Sequence, residues 1–203
     1  FITSLPLPSG DSLIGDGRVR IQTDITEIDD IDDIHTELTL VMDGNDLIVT
    51  SSNKLSHRTI EFSTTKTQTL RVIGNSYIDS STSFVGSDPL IEIPKNRTLT
   101  LSCEVLNDPS SFPNCTGEGT LRLIDFPTNH DIDLRRIEVM HLQFNAEIGS
   151  GKTLTLNAKN LVEATIHGSG TVEVHGDCTQ HDFDNVDANV SITIASSGSM
   201  IVD

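Results

Sequence analysis

The chain has 203 residues, enough for one large all-β domain whose core needs neither metal nor disulfide to form. Its formal net charge of −17 repels phosphate backbones and anionic bilayers, so neither nucleic acid nor an acidic membrane surface is an expected partner. Aromatic residues make up 4%, with no Trp and one Tyr, which favours a narrow interior of Val, Ile and Leu over an aromatic-filled sandwich.

Residues 1–36 are expected to form an irregular N-terminal cap. Pro6, Pro8, Gly10, Gly15 and Gly17 interrupt short apolar pieces there. Isoleucines follow at 25, 28, 31 and 34, a spacing of three from which an α-helical stripe would drift. Asp is a poor helix-interior residue, so bends that lay each Ile on one core fit better. From residue 37 to 203 the texture is strand, turn, strand. Leu38, Leu40 and Met42 alternate with Thr39 and Val41, Asp43-Gly44-Asn45-Asp46 is a turn, and Leu47-Ile48-Val49 follows. No apolar run nears the roughly 18–20 residues that span a bilayer. The chain begins with Phe1 and no basic leader precedes an apolar stretch, as in a processed chain or a segment of something longer.

One phrase recurs: Thr or Ser, an aliphatic, any residue, then Leu, Val or Ile. It starts at Thr69, Thr98, Thr120, Thr153, Thr171 and Ser191, with a weaker copy at Glu37. By subtraction from Glu37 onward the starts lie 32, 29, 22, 33, 18 and 20 residues apart. Repetition on this scale marks a solenoid, whose units cannot bury an apolar face alone. The expected fold is all-β, a right-handed parallel β-solenoid with a loop insertion around 103–116; the alternative is an antiparallel β-sandwich or jelly roll.

The last fifty residues are the most regular, with short strands separated by Gly149-Ser150-Gly151, Gly168-Ser169-Gly170 and Ser196-Ser197-Gly198-Ser199. The stretch Leu154 to Val202, with Gly-Ser-Gly-Thr-Val-Glu-Val at 168–174, resembles bacterial adhesin-type β-helical domains. The resemblance implies a surface stalk or adhesive head and transfers no functional residue.

Cys103 and Cys115 flank a Pro- and Ser-rich loop that a disulfide would clamp, stabilising by about 2–3 kcal/mol. That leaves Cys178 unpaired; the other reading is three reduced cysteines. Asn96-Arg97-Thr98, Asn114-Cys115-Thr116 and Asn189-Val190-Ser191 are N-glycosylation sequons. Asp182, Asp184 and Asp187 alternate as in a calcium loop, without its Gly turn or later Glu. The run Asp24, Glu27, Asp29, Asp30, Asp32 and Asp33 could also gather calcium, although a solvated acidic face is the plainer reading. His167, His175, Cys178 and His181 match no zinc module in spacing. Asp131, Asp133 and Arg135-Arg136 are the one cluster suited to a carbohydrate-active enzyme. No Ser-His-Asp elbow, phosphate loop or Cys–His pairing is visible, and no catalytic residue is assigned.

The function these features point to is structural or adhesive: an extracellular or cell-surface module that self-associates end to end or meets a surface glycan. It requires no cofactor, and calcium is the one ion its acidic turns could take. The alternatives are a carbohydrate-active β-helix enzyme and a calcium-dependent glycan-binding module.

Overall fold

The computed structural model describes residues 2–3, 7–8, 10–26, 31–50, 54–106, 108, 110 and 112–202. Among these, every strand pairing is parallel, and the strands stack as a β-solenoid of about eight turns. Parallel pairing throughout rules out the antiparallel sandwich, because adjacent coils running in one direction cannot be joined by hairpins. Among the described residues the only helical segments are 3-10 turns at Cys103–Val105, Ala158–Leu161 and Gln180–Phe183.

Each coil visits up to three faces. The first carries Arg18–Ile21, Thr39–Val41, Thr59–Phe62 and Ser83–Gly86 in one block, then Ile132–Asp133, Thr153–Asn157, Thr171–His175 and Ser191–Ile194 in another. The second carries Ile25–Thr26, Leu47–Val49, Thr69–Val72 and Leu90–Glu92, and continues into the first halves of the long strands Cys115–Ile124 and Ile137–Ile148. The third is built from Ser76–Ile78, Thr98–Ser102, the second halves of those long strands, and Ala164–Gly168. Within residues 1–36, Arg18–Ile21 and Ile25–Thr26 are already in register with the coil above. Residues 103–114 carry no strand among those described.

Alternation along each strand sends every second residue inward, where it stacks on its equivalent one coil away. On the second face Ile25, Leu47, Leu70, Ile91, Cys115 and Ile137 form one buried column. On the third, Ile78, Leu101, Leu123, Phe144 and Ala164 form another. Phe62 and Phe84 meet edge to face with ring centroids 5.5 Å apart, a favoured aromatic geometry. Ile25, Ile31 and Ile34 all lie on this core, Ile25 in a strand, Ile31 at a bend and Ile34 in a parallel bridge to Leu13; Ile28, with Glu27, Asp29 and Asp30, falls outside the described residues.

The expected Cys103–Cys115 disulfide is not formed; both residues are buried free thiols, as is Cys178. The register gives the reason. Cys115 opens its strand opposite Ile91, whereas Cys103 follows Ser102, which pairs with Ile124 at the far end of that same ten-residue strand. At roughly 3.3 Å per residue the two ends stand well beyond the roughly 4.4–6.8 Å Cα separation a disulfide needs.

Candidate functional site

The corners between faces are where this chain concentrates polar chemistry. A hollow of about 420 Å³ lies at the corner between the first and second faces. Four successive connections build it: residues 63–68, 86–90, 113–114 and 136. Each immediately follows a first-face strand or precedes a second-face one, so the coil stacking itself brings them together. Gln68 is buried there; its Oε1 accepts from the Ser63 N–H and its Nε2 donates to the Asn45 carbonyl at 3.5 Å. The Lys66 ammonium turns to Asp43, donating to its carbonyl at 2.8 Å and to its carboxylate at 3.3 Å.

Asp88 is the unusual member. Its Oδ1 is shielded from solvent and accepts no hydrogen bond among the described residues. Burial raises the Asp88 pKa, Asp108 adds to the rise, and Arg136 opposes it. Half-buried carboxylates ordinarily find donors, so this oxygen is an unsatisfied buried group that disfavours the ionised form. Pro89 and Pro113 lie buried beside it, and Leu90 is half-buried.

The third face carries a different arrangement. Arg122 donates to Gln143 Oε1 from Nε at 3.2 Å and Nη2 at 3.0 Å, and Gln143 Nε2 donates to Glu163 Oε2 at 2.8 Å. His141 Nδ1 meets Glu163 Oε1 at 2.5 Å. Hydrogen bonds from Gln143 and His141 hold the Glu163 carboxyl below its usual range. A hollow of about 430 Å³ lies over Arg122, Gln143, Asn145 and Glu163. These side chains already satisfy one another, unlike Asp88.

The residues singled out by sequence are placed separately. Asp182 accepts from the Thr179 N–H at 2.7 Å and its hydroxyl at 3.1 Å, closing a capping box. Asp184 pairs with His181 at 3.6 Å, and Asp187 accepts from Asn189 N at 2.9 Å and Nδ2 at 3.0 Å. His175 Nε2 lies 2.9 Å from Glu173. Among the described residues no three His, Cys, Asp or Glu side chains gather as a metal site. Asp131 accepts from the Thr153 N–H at 2.9 Å, and Asp133 holds Arg135 in a two-point ion pair, so that cluster is locked within the scaffold. Its neighbour Arg136 instead lines the Asp88 hollow. Asn96, Asn114 and Asn189 are all exposed, Asn96 at a positive φ of 61° in a turn and Asn114 on the rim of the Asp88 hollow.

Sequence reasoning missed Asp88, Gln68 and Glu163. The available signal for Asp88 was the Asp-Pro step before Leu90-Ile91-Glu92, a carboxylate held at the mouth of a strand. Compared with known proteins, the chain matches no family model, no curated protein and no solved structure. Its likeness to adhesin-type domains extends to the β-solenoid and no further.

Proposed function

We propose that this chain is a structural and adhesive module of the cell surface, which extends by end-to-end association and meets its target through outward columns and corner hollows. One observation carries the reading. Ile132, Leu154, Val172 and Ile192 form a single inward column, exposed by 4%, 1%, 0% and 43%. Ile192 points where a core residue points, yet has no coil over it among the described residues. Met200 and Ile201, which among the described residues pair only with Cys178 and Thr179, are 45% and 53% exposed. Unpaired parallel edges template further strands, and a second copy would cover the open apolar floor in register.

The stiffness such a module needs is supported by side chains that link coils. Arg71 joins Asp46 at 2.6 Å and Glu92 at 3.1 Å, Arg18 reaches Glu61, and Lys159 reaches Glu138. Eight coils at roughly 4.8 Å each give a stack about 40 Å tall.

Sedimentation and small-angle scattering over rising concentration test the structural half. Growth along one axis in steps of about 40 Å is expected; a monomer of fixed, compact profile at every concentration would defeat it. Beads coated with the chain test the adhesive half: retention on cell or glycan-coated surfaces under flow is expected, and beads that wash off like uncoated ones would remove it.

A further inference from the structure

We propose that the Asp88–Pro89 peptide is a self-cleavage site, where the Asp88 carboxyl severs its own main-chain bond in mild acid and leaves two pieces held in one solenoid. The inference goes beyond the adhesive reading and does not depend on it. The chain holds two Asp–Pro peptides, at 88–89 and 108–109. Such a bond is weak for two reasons. The proline nitrogen belongs to a tertiary amide with no N–H and leaves readily once protonated. The Asp carboxyl reaches its own main-chain carbonyl carbon as an internal nucleophile. In that step a C–O bond forms, the C–N bond to Pro89 breaks, and the carboxyl proton goes to the Pro89 nitrogen. A cyclic anhydride remains on Asp88. One water then opens it to the two carboxyls of a C-terminal Asp88, with Pro89 as a free amino terminus.

The structure separates the two bonds. Asp88 Oδ1 accepts no hydrogen bond among the described residues, so no donor masks its lone pairs, and attack from within needs no outside group to reach it. The Ser87 N–H donates to the Phe62 carbonyl at 3.3 Å and the Leu90 N–H to the Gln68 carbonyl at 2.9 Å, which pins the chain on both sides of the bond. Asp108, by contrast, is exposed, and its Oδ1 accepts from Ser110 N at 3.0 Å and Ser110 Oγ at 2.5 Å. Among the described residues the charged and titratable groups around Asp88 are Asp108, Arg136, Cys115 and Lys66, the last already paired with Asp43. Burial and Asp108 raise the Asp88 pKa against Arg136, whereas the Ser110 bonds lower that of Asp108. Only the protonated carboxyl carries the proton the nitrogen needs, so Asp88 stays competent at a pH where Asp108 is ionised. Ser83–Gly86 remains laddered to Thr59–Phe62, and Leu90–Glu92 to Thr69–Val72 and Cys115–Ile124, so both pieces stay anchored after the cut.

The full chain is held at 37 °C and pH 5 with protease inhibitors and followed over days on denaturing gels, with mass and N-terminal sequencing of the products. Fragments 1–88 and 89–203 are expected, at a rate independent of protein concentration and with native size-exclusion elution unchanged. Cleavage at 88 should exceed that at 108 by at least about tenfold in the folded chain, one pKa unit being tenfold in protonated fraction, and the two should agree within about twofold in urea. Asp88→Asn should abolish the 89–203 fragment, and Asp108→Asn should cut like the parent. Arg136→Ala, which removes the opposing cation, should carry cleavage to higher pH. The proposal is overturned if no 89–203 fragment forms, if Asp88→Asn yields it too, or if the folded chain is cut at 108 as fast as at 88. It is equally overturned if the pieces part under native conditions, or if Arg136→Ala leaves the pH profile unmoved.

Discussion

Asp46 and Arg71 face one another across a coil boundary, Arg71 Nε donating to Asp46 Oδ2 at 2.6 Å, while the other carboxylate oxygen accepts from the Thr69 N–H at 2.9 Å. The second contact recurs along the stack. Asp24 accepts from Asp46 N at 2.8 Å, Asn75 from Thr98 N at 3.0 Å, Asp131 from Thr153 N at 2.9 Å and Asp177 from Ser199 N at 3.0 Å. Each acceptor lies 22 or 23 residues before its donor, by subtraction of those positions. At a corner the backbone ladder breaks, and these side chains capture amides the next coil would otherwise leave open.

It follows that Asp46→Ala should cost about 1–2 kcal/mol, chiefly through the Thr69 amide. Arg71→Ala should cost much less, because Arg71 is exposed and its ion pairs are screened. Urea denaturation at low and high salt separates the two: the Asp46 loss persists at high salt and any Arg71 loss fades.

The same corner acceptors explain part of what was legible in the sequence and what was not. The Asp-rich turns were visible, but their partners sit one coil away at a distance no local motif encodes. The Thr-aliphatic phrase marked inward pairs correctly at Leu70 and Val72, Leu99 and Leu101, and Leu154 and Leu156. Its uneven spacing has a geometric cause. The copy at Thr69 lies on the second face, those at Thr98 and Thr120 on the third, and those at Thr153, Thr171 and Ser191 on the first. Intervals within one face are single coils; the longer ones change face. The Asp88 hollow was invisible because its residues come from four separate connections that only the register unites.

Glycine tests the corner geometry directly. A Cβ on Gly168, at φ +112°, would lie 2.3 Å from the Ile148 carbonyl oxygen one coil below. Gly151, at φ +73°, has open space around it. Gly168→Ala should therefore cost roughly 2–4 kcal/mol, from backbone clash as well as strain, and Gly151→Ala roughly 1 kcal/mol from strain alone. Equal losses in paired thermal melts would contradict the close approach of these coils.

The three thiols should be silent in the native state. Burial, reinforced by Asp125 and Glu104, pushes the Cys103 pKa up to about 12, and burial raises Cys115 further. A thiol reagent at pH 8 should label none of them within the time that labels all three in denaturant, and reductant should leave the melting temperature unchanged. Because the folded Cys103 pKa lies above its ordinary value of 9.0, its contribution to stability is complete below pH 9 and is lost as pH climbs toward 12.

Asp88 gives the opposite end of the pH scale. Its folded pKa is raised, so its contribution is complete below the ordinary carboxylate value of 3.8 and declines as pH rises through the folded value. Asp88→Asn removes that decline. Variant and parent should melt together near pH 3, and the variant should melt at the higher temperature at pH 7. A lower melting temperature for the variant at pH 7 would mean that the ionised carboxylate has a stabilising partner after all.

The column that ends at Ile192 yields the sharpest contrast. Val172 and Ile192 occupy the same inward position in adjacent coils, one fully buried and the other 43% exposed. Val172→Lys places a charge inside the core and should prevent folding. Ile192→Lys leaves its ammonium in water and should leave monomer stability within about 0.5 kcal/mol. Its effect should appear instead in association, because a charge on an open strand edge opposes pairing with a second copy. Sedimentation of the Ile192→Lys chain should therefore show monomer at concentrations where the parent has assembled. An Ile192→Lys chain that assembles like the parent would place the contact elsewhere on the solenoid.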